Sequence, residues 1–251
     1  LLLNYICSMR QAAGTMPEHP VFVKTIVTMD MAARIAADYG VKTVDVLTGF
    51  KFIGDQIARL EAEGRENDYI LGFEESYGYL SGSYVRDKDA VDGAFLICEM
   101  AAYYRSKGMG LLEVLEGLYE KYGFCLNTLH SYEFEGMEGF EKMKGIMNRL
   151  HTMASRIAEG EAVCIGGRKT EAVEDYLSGT ISRADKTTEP IAGLPSSDVL
   201  KFRLAGNASV VVRPSGTEPK LKLYISVSAE DKAKAQAEEE KITAQMEEWF
   251  L

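Results

Sequence analysis

Short apolar runs alternate with longer segments of helical spacing in the first half of the chain. Residues 21–27 form an almost continuous apolar run interrupted by Lys24, and shorter runs follow at 42–47 and 69–73. Runs of this length and composition are typical of buried strands. Strands that alternate with helices predict right-handed crossovers, and therefore an α/β domain with a mostly parallel sheet.

The segments around these runs are predicted to be helices, because apolar residues recur in them at three- and four-residue intervals. Thr28 or Asp30 is placed to cap the second helix, and Gly40 is placed to end it. Residues 80–89 are rich in turn-forming residues and predict a loop. The predicted helices are 1–13, a second that ends at 39, 55–63, 90–105 and 108–122.

The pattern changes near residue 123. Extended segments then follow one another closely, and Ala205-Gly206-Asn207 is a typical hairpin turn between two of them. The extended segments are 125–134, 162–165, 171–177, 199–204, 208–213 and 221–227, and the predicted helices are 138–155 and 230–250. We therefore predict two domains: residues 1–122 as the α/β domain, and residues 123–251 as a smaller α+β domain with an antiparallel sheet.

Composition and charge narrow the class of protein. Of the 251 residues 46% are hydrophobic and 26% are charged, as in a globular protein with a substantial core. The net charge of −10 disfavours nucleic acid and anionic membrane surfaces as partners, but it allows a local basic pocket for a phosphorylated ligand. No apolar run approaches the roughly 18 residues that span a membrane.

Cysteine and histidine usage points to an intracellular protein without a sequence-encoded metal site. The four cysteines are widely spaced and form no C-x-x-C pair, which predicts free, buried thiols in a reducing cytoplasm. The three histidines are scattered, so we expect no metal ligands from their spacing.

A first candidate site lies where the second and third predicted strands end. The loop GFEESYGY at 72–79 carries two carboxylates and a hydroxyl between glycines, and TGFKFIG at 48–54 follows the preceding strand. The ligand crevice of a parallel sheet lies off the carboxyl ends of its strands, so these two loops are expected to converge. An ordinary solvated turn is the alternative, since Glu, Ser and Gly are common in loops.

A second candidate site is RPSGTEPK at 213–220, between two strongly patterned strands. Arg213 offers a planar fork for a phosphate, Ser215 and Thr217 add hydroxyl donors, and Gly216 lets successive backbone N–H groups face one anion. Pro214 and Pro219 stiffen the loop. The alternative is a Pro-Gly hairpin turn whose polar residues are incidental.

Taken together, TGFK at 48–51, GFEESYG at 72–78 and RPSGTEP at 213–219 resemble the α-D-phosphohexomutases, specifically bacterial phosphoglucomutase/phosphomannomutase. The resemblance covers essentially the whole chain, which looks like the third and fourth of the family's four domains. It implies a cytoplasmic isomerase of carbohydrate metabolism. Such an enzyme is an intramolecular phosphotransferase that interconverts hexose 1-phosphate and 6-phosphate through a phosphoserine and a sugar bisphosphate, with glucose as the expected hexose.

The resemblance also implies roles for individual residues. Sugar binding falls to Glu74 and Ser76, with Thr48 and Gly49 as further substrate contacts. Lys51 is a weaker substrate-binding candidate, for which a solvated loop lysine is the alternative. The phosphate that is not being transferred would be held by Arg213, Ser215, Gly216 and Thr217.

Lys88 is the candidate catalytic residue, because it aligns with a lysine implicated as a general base in some family members. The flanking Asp87 and Asp89 favour an ammonium and oppose that role. Neutralisation of phosphate is a second interpretation, and a charge cluster at a helix N-terminus is a third.

Two motifs of the family are absent from the sequence: the Ser-His-Asn-Pro phosphoserine loop and the Asp-x-Asp-x-Asp-Arg magnesium loop. We therefore expect Mg²⁺ and glucose 1,6-bisphosphate to serve the full-length enzyme, with no metal ligand in this chain. The chain starts with Leu inside a helical pattern, which suggests a piece of a longer protein whose N-terminal domains are its partner. It should be inactive alone. A non-catalytic module that binds sugar phosphates is the alternative function.

Overall fold

The structure is a computed structural model that describes residues 1–215 and 218–250. The chain divides into two compact units of nearly equal length, Leu1–Tyr122 and Gly123–Leu251. The first contains a mostly parallel sheet with helices and the second an antiparallel sheet with helices, so the predicted fold class is confirmed.

The first unit has a four-stranded sheet in the order β2-β1-β3-β4. The first three strands are parallel, and β4 runs antiparallel to β3. The strands are β1 (Val21–Thr25), β2 (Lys42–Val46), β3 (Tyr69–Glu74) and β4 (Gly78–Leu80). The helices are α1 (Leu2–Ala13), α2 (Met31–Asp38), α3 (Phe50–Ala62), α4 (Ala90–Ser106) and α5 (Leu111–Tyr122).

The central strand β1 carries a fully buried lysine at the carboxyl end of the sheet. Lys24 Nζ lies 2.9 Å from Asp45 Oδ1 and 3.5 Å from Asp30 Oδ1, and it donates a hydrogen bond of 3.0 Å to the Thr28 carbonyl oxygen. A buried ammonium is costly unless it is paired and hydrogen-bonded. Because its partners lie on β2 and on the segment that follows β1, Lys24 fixes these strand ends relative to one another.

Two predicted loops of this unit are regular structure instead. Helix α3 begins at Phe50 rather than at residue 55, because the buried Phe50, Ile53 and Ile57 already follow helical spacing. The predicted loop at 72–79 is a β-hairpin, because residues 78–80 pair with the end of β3. The short strand β4 contains Gly78 and only three residues, so it gives no alternating pattern in the sequence.

The second unit has one long antiparallel sheet in the order β5-β12-β11-β10-β7-β8-β9, with β6 paired to β7. The strands are β5 (Phe124–Glu133), β6 (Cys164–Ile165), β7 (Arg168–Asp175), β8 (Thr180–Arg183), β9 (Thr188–Pro190), β10 (Leu200–Leu204), β11 (Ala208–Pro214) and β12 (Lys220–Ala229). Helices α6 (Gly136–Ala158) and α7 (Lys232–Phe250) complete the unit.

Helices α6 and α7 share one apolar core with this sheet. Ile146, Leu150 and Ile157 of α6 belong to the same buried cluster as Ile242 and Met246 of α7. The cluster also includes buried residues of β10, β11 and β12, among them Phe202, Val210, Val212, Leu223 and Ile225. These positions alternate along each strand, so one face of the sheet is covered by the helices.

Turn chemistry correctly predicts one hairpin, while the edge strand β9 and its neighbour β8 were missed. The turn at residues 205–207 joins β10 to β11, and Gly206 and Asn207 have φ angles of 77° and 56°, the left-handed region that these residue types tolerate. Strands β8 and β9 were not predicted. Residues 188–190 are all exposed, so they show no hydrophobic alternation that the sequence could reveal.

The predicted thiols are free, but only half of them are buried. Cys7 and Cys125 are buried, whereas Cys98 and Cys164 are exposed. Burial raises the pKa of Cys7 to about 11. Among the described residues, no helix is both long and apolar enough to cross a membrane.

A histidine joins α6 to the sheet of the second unit through two carboxylates. His151 Nδ1 lies 3.2 Å from Asp175 Oδ2, and His151 Nε2 lies 2.8 Å from Asp198 Oδ1. A neutral imidazole has one N–H, so only the imidazolium can donate to both carboxylates. The hydrogen bond to Asp198 is the main cause of a raised His151 pKa, which partial burial opposes.

Replacing Lys24 with methionine should lower the free energy of unfolding by roughly 2–3 kcal/mol, because the change strands a backbone carbonyl and a carboxylate in the buried site. Urea denaturation measures the loss. Lys42→Met, at the exposed first residue of β2, is the matched control and should change stability by less than about 0.5 kcal/mol. A similar small change at Lys24 would contradict its proposed structural role.

Stability of the second unit should depend on pH through His151. Its pKa is raised above the ordinary value of 6.5, so its stabilising contribution is complete below about pH 6.5 and is lost as pH rises through the folded pKa. Denaturation at a series of pH values should therefore show a decline that His151→Gln removes. His130→Gln, which breaks a different contact to Glu239, should keep that decline. An unchanged slope in His151→Gln would disprove the assignment.

Candidate functional site

Three strand ends meet at one edge of the first sheet. Register pairs Thr25 of β1 with Val46 of β2, and Lys24 with Phe73 of β3. Since β1 lies between the other two strands, the segment after β1 starts between the ends of β2 and β3. This edge is the carboxyl end of the parallel strands, where ligand crevices form in such sheets.

Glu74 lies at the base of the hairpin and packs beside the start of α3. It pairs with Gly78, and a Cβ atom at Gly78 would lie 2.9 Å from Glu74 Cγ and 3.0 Å from Phe50 Cδ2. Gly78 therefore provides the space in which the Glu74 side chain and the Phe50 ring approach each other. The two segments that the sequence expects to converge do lie against each other here.

The hairpin loop contains an unusual backbone conformation. Tyr77 has φ of 62°, and its side chain is 87% exposed. A bulky residue in the left-handed region costs roughly 1–2 kcal/mol. The neighbouring Ser76 is exposed as well, so the loop presents a hydroxyl and an aromatic ring to solvent.

Lys88 reaches the same edge from the loop that precedes α4. Its Nζ lies 3.9 Å from Glu74 Oε1, 3.5 Å from Asp87 Oδ1 and 5.7 Å from the centroid of the Phe50 ring. The other flanking carboxylate is engaged elsewhere, because Asp89 accepts the backbone N–H groups of Val91 and Asp92 and so caps α4. The structure thus brings Lys88 and Glu74 together.

Asp89 is further held by the hydroxyl of Tyr84, which donates to Asp89 Oδ2 at 3.0 Å. The backbone N–H of Asp92 and this hydroxyl lower the Asp89 pKa. Burial and the same hydrogen bond raise the pKa of Tyr84 to about 12. The ionised Asp89 therefore fixes the loop before α4. This loop places Lys88 at the candidate site.

Thr48, Gly49 and Lys51 lie at the start of α3. Gly49 precedes the helix with φ of 118°, a conformation that L side chains rarely adopt. Lys51 is exposed, and its Nζ lies 4.9 Å from the centroid of the Phe52 ring. Gly49 is therefore required by the turn into the helix, whatever its role in binding.

Glu75 is a site residue that sequence reasoning missed. Glu75 Oε2 accepts hydrogen bonds of 3.1 Å from both Thr25 Oγ1 and Thr28 Oγ1. The sequence held no distinct signal for it, because threonines at the end of a strand are common, and only the structure shows that Thr25 and Thr28 contact the hairpin.

The second site lies at the turn between β11 and β12. Its base is closed by a hydrogen bond of 2.7 Å from the Ser215 backbone N–H to the Lys220 carbonyl oxygen. Arg213 is half-buried and pairs across the strands with Lys222, which places both side chains on one face of the sheet. The candidates Gly216 and Thr217 lie outside the described residues.

Two lysines of β12 differ in their partners. Lys220 Nζ lies 3.0 Å from Glu133 Oε1 and 3.3 Å from Glu218 Oε2, and these two carboxylates raise the Lys220 pKa. Lys222 is the cation that faces Arg213, and sequence reasoning missed it. Its period-two spacing from Lys220 places both lysines on the same face of β12, a signal that was available in the sequence.

Comparison with known proteins identifies the family. Residues 1–122 match the model of phosphoglucomutase/phosphomannomutase alpha/beta/alpha domain III, and residues 166–243 match that of the phosphoglucomutase/phosphomannomutase C-terminal domain. A phosphoglucomutase of Staphylococcus aureus (strain MRSA252) is 37% identical over 231 residues, which cover 92% of this chain and 39% of the relative. The chain belongs to the phosphoglucomutase/phosphomannomutase family and carries these two domains.

Solved structures share the fold at low sequence identity. The open form of parafusin, a phosphoglucomutase from Paramecium, aligns with a TM-score of 0.66 and 18% identity, covering 99% of this chain and 41% of the other. An N-acetylphosphoglucosamine mutase from Aspergillus fumigatus, solved with glucose 1,6-bisphosphate, aligns with a TM-score of 0.50 and 13% identity, covering 98% and 41%. The chain spans about two fifths of the length of the relatives it matches.

Gly78→Ala should disturb the contact between Glu74 and Phe50, because the added Cβ would stand closer to both side chains than real contacts allow. We expect a loss of roughly 1 kcal/mol in unfolding free energy, together with a shift of the Glu74 and Phe50 resonances in NMR spectra. Gly117→Ala in α5, where nothing lies within 4 Å, is the control and should be neutral or stabilising. A neutral Gly78→Ala variant with unmoved resonances would contradict this packing.

Proposed function

We propose that the chain supplies the sugar- and phosphate-binding groups of a phosphohexomutase, which interconverts hexose 1-phosphate and hexose 6-phosphate through a bisphosphate intermediate. Glucose is the proposed hexose, since a phosphoglucomutase is 37% identical to the chain. The observation that carries the proposal is the grouping of Glu74, Lys88 and the start of α3 at the carboxyl edge of the first sheet.

Glu74 and Ser76 are the proposed sugar ligands. The Glu74 side chain is only 10% exposed, so its carboxylate forms stronger hydrogen bonds than one in bulk water. A carboxylate that accepts from neighbouring hydroxyls suits a sugar that must bind in two orientations, because both present a similar diol. Thr48, Gly49 and Lys51 are proposed as further substrate contacts from the next strand end.

The turn between β11 and β12 is the proposed binding site for the phosphate that is not transferred. Arg213 supplies a bidentate fork, and Lys222 adds a second positive charge on the same sheet face. Ser215 adds a hydroxyl donor, and Gly216 and Thr217 are proposed from the family resemblance. Binding energy gained here is remote from the reacting atoms and helps to hold the sugar in place for reaction.

Lys88 is the proposed catalytic residue of this chain. Its ammonium, 3.9 Å from Glu74, is placed to neutralise a phosphoryl oxygen next to the bound sugar, and a proton held at Nζ can pass to a sugar oxygen. The described residues include no group of three or more His, Cys, Asp or Glu side chains that could hold a metal ion. No step is therefore assigned to Mg²⁺ on this chain, and both Mg²⁺ and glucose 1,6-bisphosphate are proposed for the longer enzyme.

Calorimetric titration of the chain with glucose 1,6-bisphosphate tests the proposal. Binding should weaken about tenfold or more in Arg213→Ala and in Glu74→Gln, because each removes a charge-assisted hydrogen bond. Arg156→Ala, which removes an exposed arginine paired with Glu161, is the control and should bind like the unaltered chain. Absence of binding, or equal binding by all variants, would disprove the proposed sites.

An activity assay of the same 251-residue chain tests whether it can catalyse the reaction without further domains. With Mg²⁺ and glucose 1,6-bisphosphate added, glucose 1-phosphate should not be converted, because the phosphoserine and magnesium motifs are absent from these 251 residues. Measurable turnover would contradict the proposal that catalysis needs motifs absent from this chain. Binding without turnover is also the result expected of a non-catalytic sugar-phosphate module, the alternative function.

A further inference from the structure

The hairpin that carries Glu74 and Ser76 is tied to the central strand by the carboxylate between them. Glu75 Oε2 lies 3.1 Å from the hydroxyl oxygens of Thr25 and Thr28, and these two hydroxyl oxygens lie 2.8 Å apart. Thr25 is 0% exposed and Thr28 is 4% exposed. Buried hydroxyls are destabilising unless they are hydrogen-bonded, so the two threonines depend on this cluster.

The carboxylate of Glu75 matches the two hydroxyl donors of the cluster. Three oxygen atoms lie within hydrogen-bond distance of one another, and the two hydroxyls provide one proton each. A carboxylate only accepts, so both protons can be used at once. The amide of a glutamine would bring two more protons and one acceptor oxygen fewer.

Lys24 holds the threonines from the other side. Its Nζ donates to the Thr28 carbonyl oxygen at 3.0 Å and contacts Asp45 of β2 at 2.9 Å. The segment after β1 is thus fixed to β2 through Lys24 and to the hairpin through Glu75.

The hairpin loop needs such an anchor. Tyr77 holds a left-handed backbone conformation while its side chain is 87% exposed, so its own packing contributes little to keeping that conformation. Strained conformations persist where surrounding contacts determine them, and they concentrate at functional sites. The hydrogen bonds of Glu75, two residues before Tyr77, hold this loop together with the backbone pairing of β3 and β4.

We propose that Glu75, Thr25 and Thr28 are positioning residues that hold Glu74 and Ser76 in the geometry that binds a hexose phosphate. Glu75 acts through its neighbours and not as a sugar ligand. This inference rests on the proposed function, because it concerns the same sugar site.

A double-mutant cycle tests the inference. One arm is Glu75→Gln, and the other is the pair Thr25→Val and Thr28→Val, which keeps side-chain shape and removes both hydroxyls. Each arm should weaken binding of glucose 1,6-bisphosphate about tenfold, and the combined variant should lose little more, because both arms break one network. Inorganic phosphate, which lacks a sugar, should bind all variants equally.

Thr128→Val is the matched control. It removes a hydroxyl that donates to the carboxylate of Glu239 at 2.7 Å in the second unit, far along the chain from the hairpin. It should leave binding of both ligands unchanged. Additive losses in the cycle, or full binding by Glu75→Gln, would overturn the inference.

Hydrogen exchange provides a readout that needs no ligand. Backbone amides of residues 74–80 should exchange about tenfold faster in Glu75→Gln and in the double threonine variant, while β1 amides keep their protection. The unaltered chain could bind no sugar phosphate while amide exchange of the hairpin still accelerates in the variants. That result would disprove the proposed function but support the role of Glu75, Thr25 and Thr28 in holding the hairpin. Unchanged hairpin exchange would overturn the anchor itself.

Discussion

One buried ammonium group sets the arrangement of the first unit's functional edge. Lys24 has no exposed surface, so its charge must be balanced by neighbouring groups, and those neighbours lie on β2 and on the segment after β1. The same segment carries the hydroxyls that hold Glu75. Ion pairs and hydrogen bonds therefore connect Lys24 in the sheet interior to Glu75 in the hairpin. They restrain the polar groups at this edge of the sheet.

Much of the fold was predictable because burial imposes a period on the sequence. The three parallel strands are short apolar runs, helices α2 and α6 each have one apolar face, and the turn at residues 205–207 has the residue types that left-handed conformations favour. Strands β8 and β9 escaped prediction because β9, the edge strand, has no buried residue, and its neighbour β8 has only one. The early start of α3 was missed because glycine and lysine at its first turn resemble loop composition.

The candidate site was predictable in its segments but not in its contacts. The sequence places Glu74, Lys88 and the start of α3 near strand ends, and it cannot show that Gly78 makes room for Glu74 and Phe50. Thr25 and Thr28 gave no distinct signal, because two threonines after a strand are common in turns. Their partnership with Glu75 depends on strand order, which puts β1 between β2 and β3.

The distance between Lys88 and Glu74 determines which kind of group could bridge them. At 3.9 Å the two charges attract each other, but they are too far apart for a hydrogen bond of normal length. An oxygen atom cannot fit on the line between these two atoms, but one placed beside that line can lie within hydrogen-bond distance of both. A hydroxyl group matches this arrangement, because its oxygen can accept a hydrogen bond from the ammonium while its proton is donated to the carboxylate.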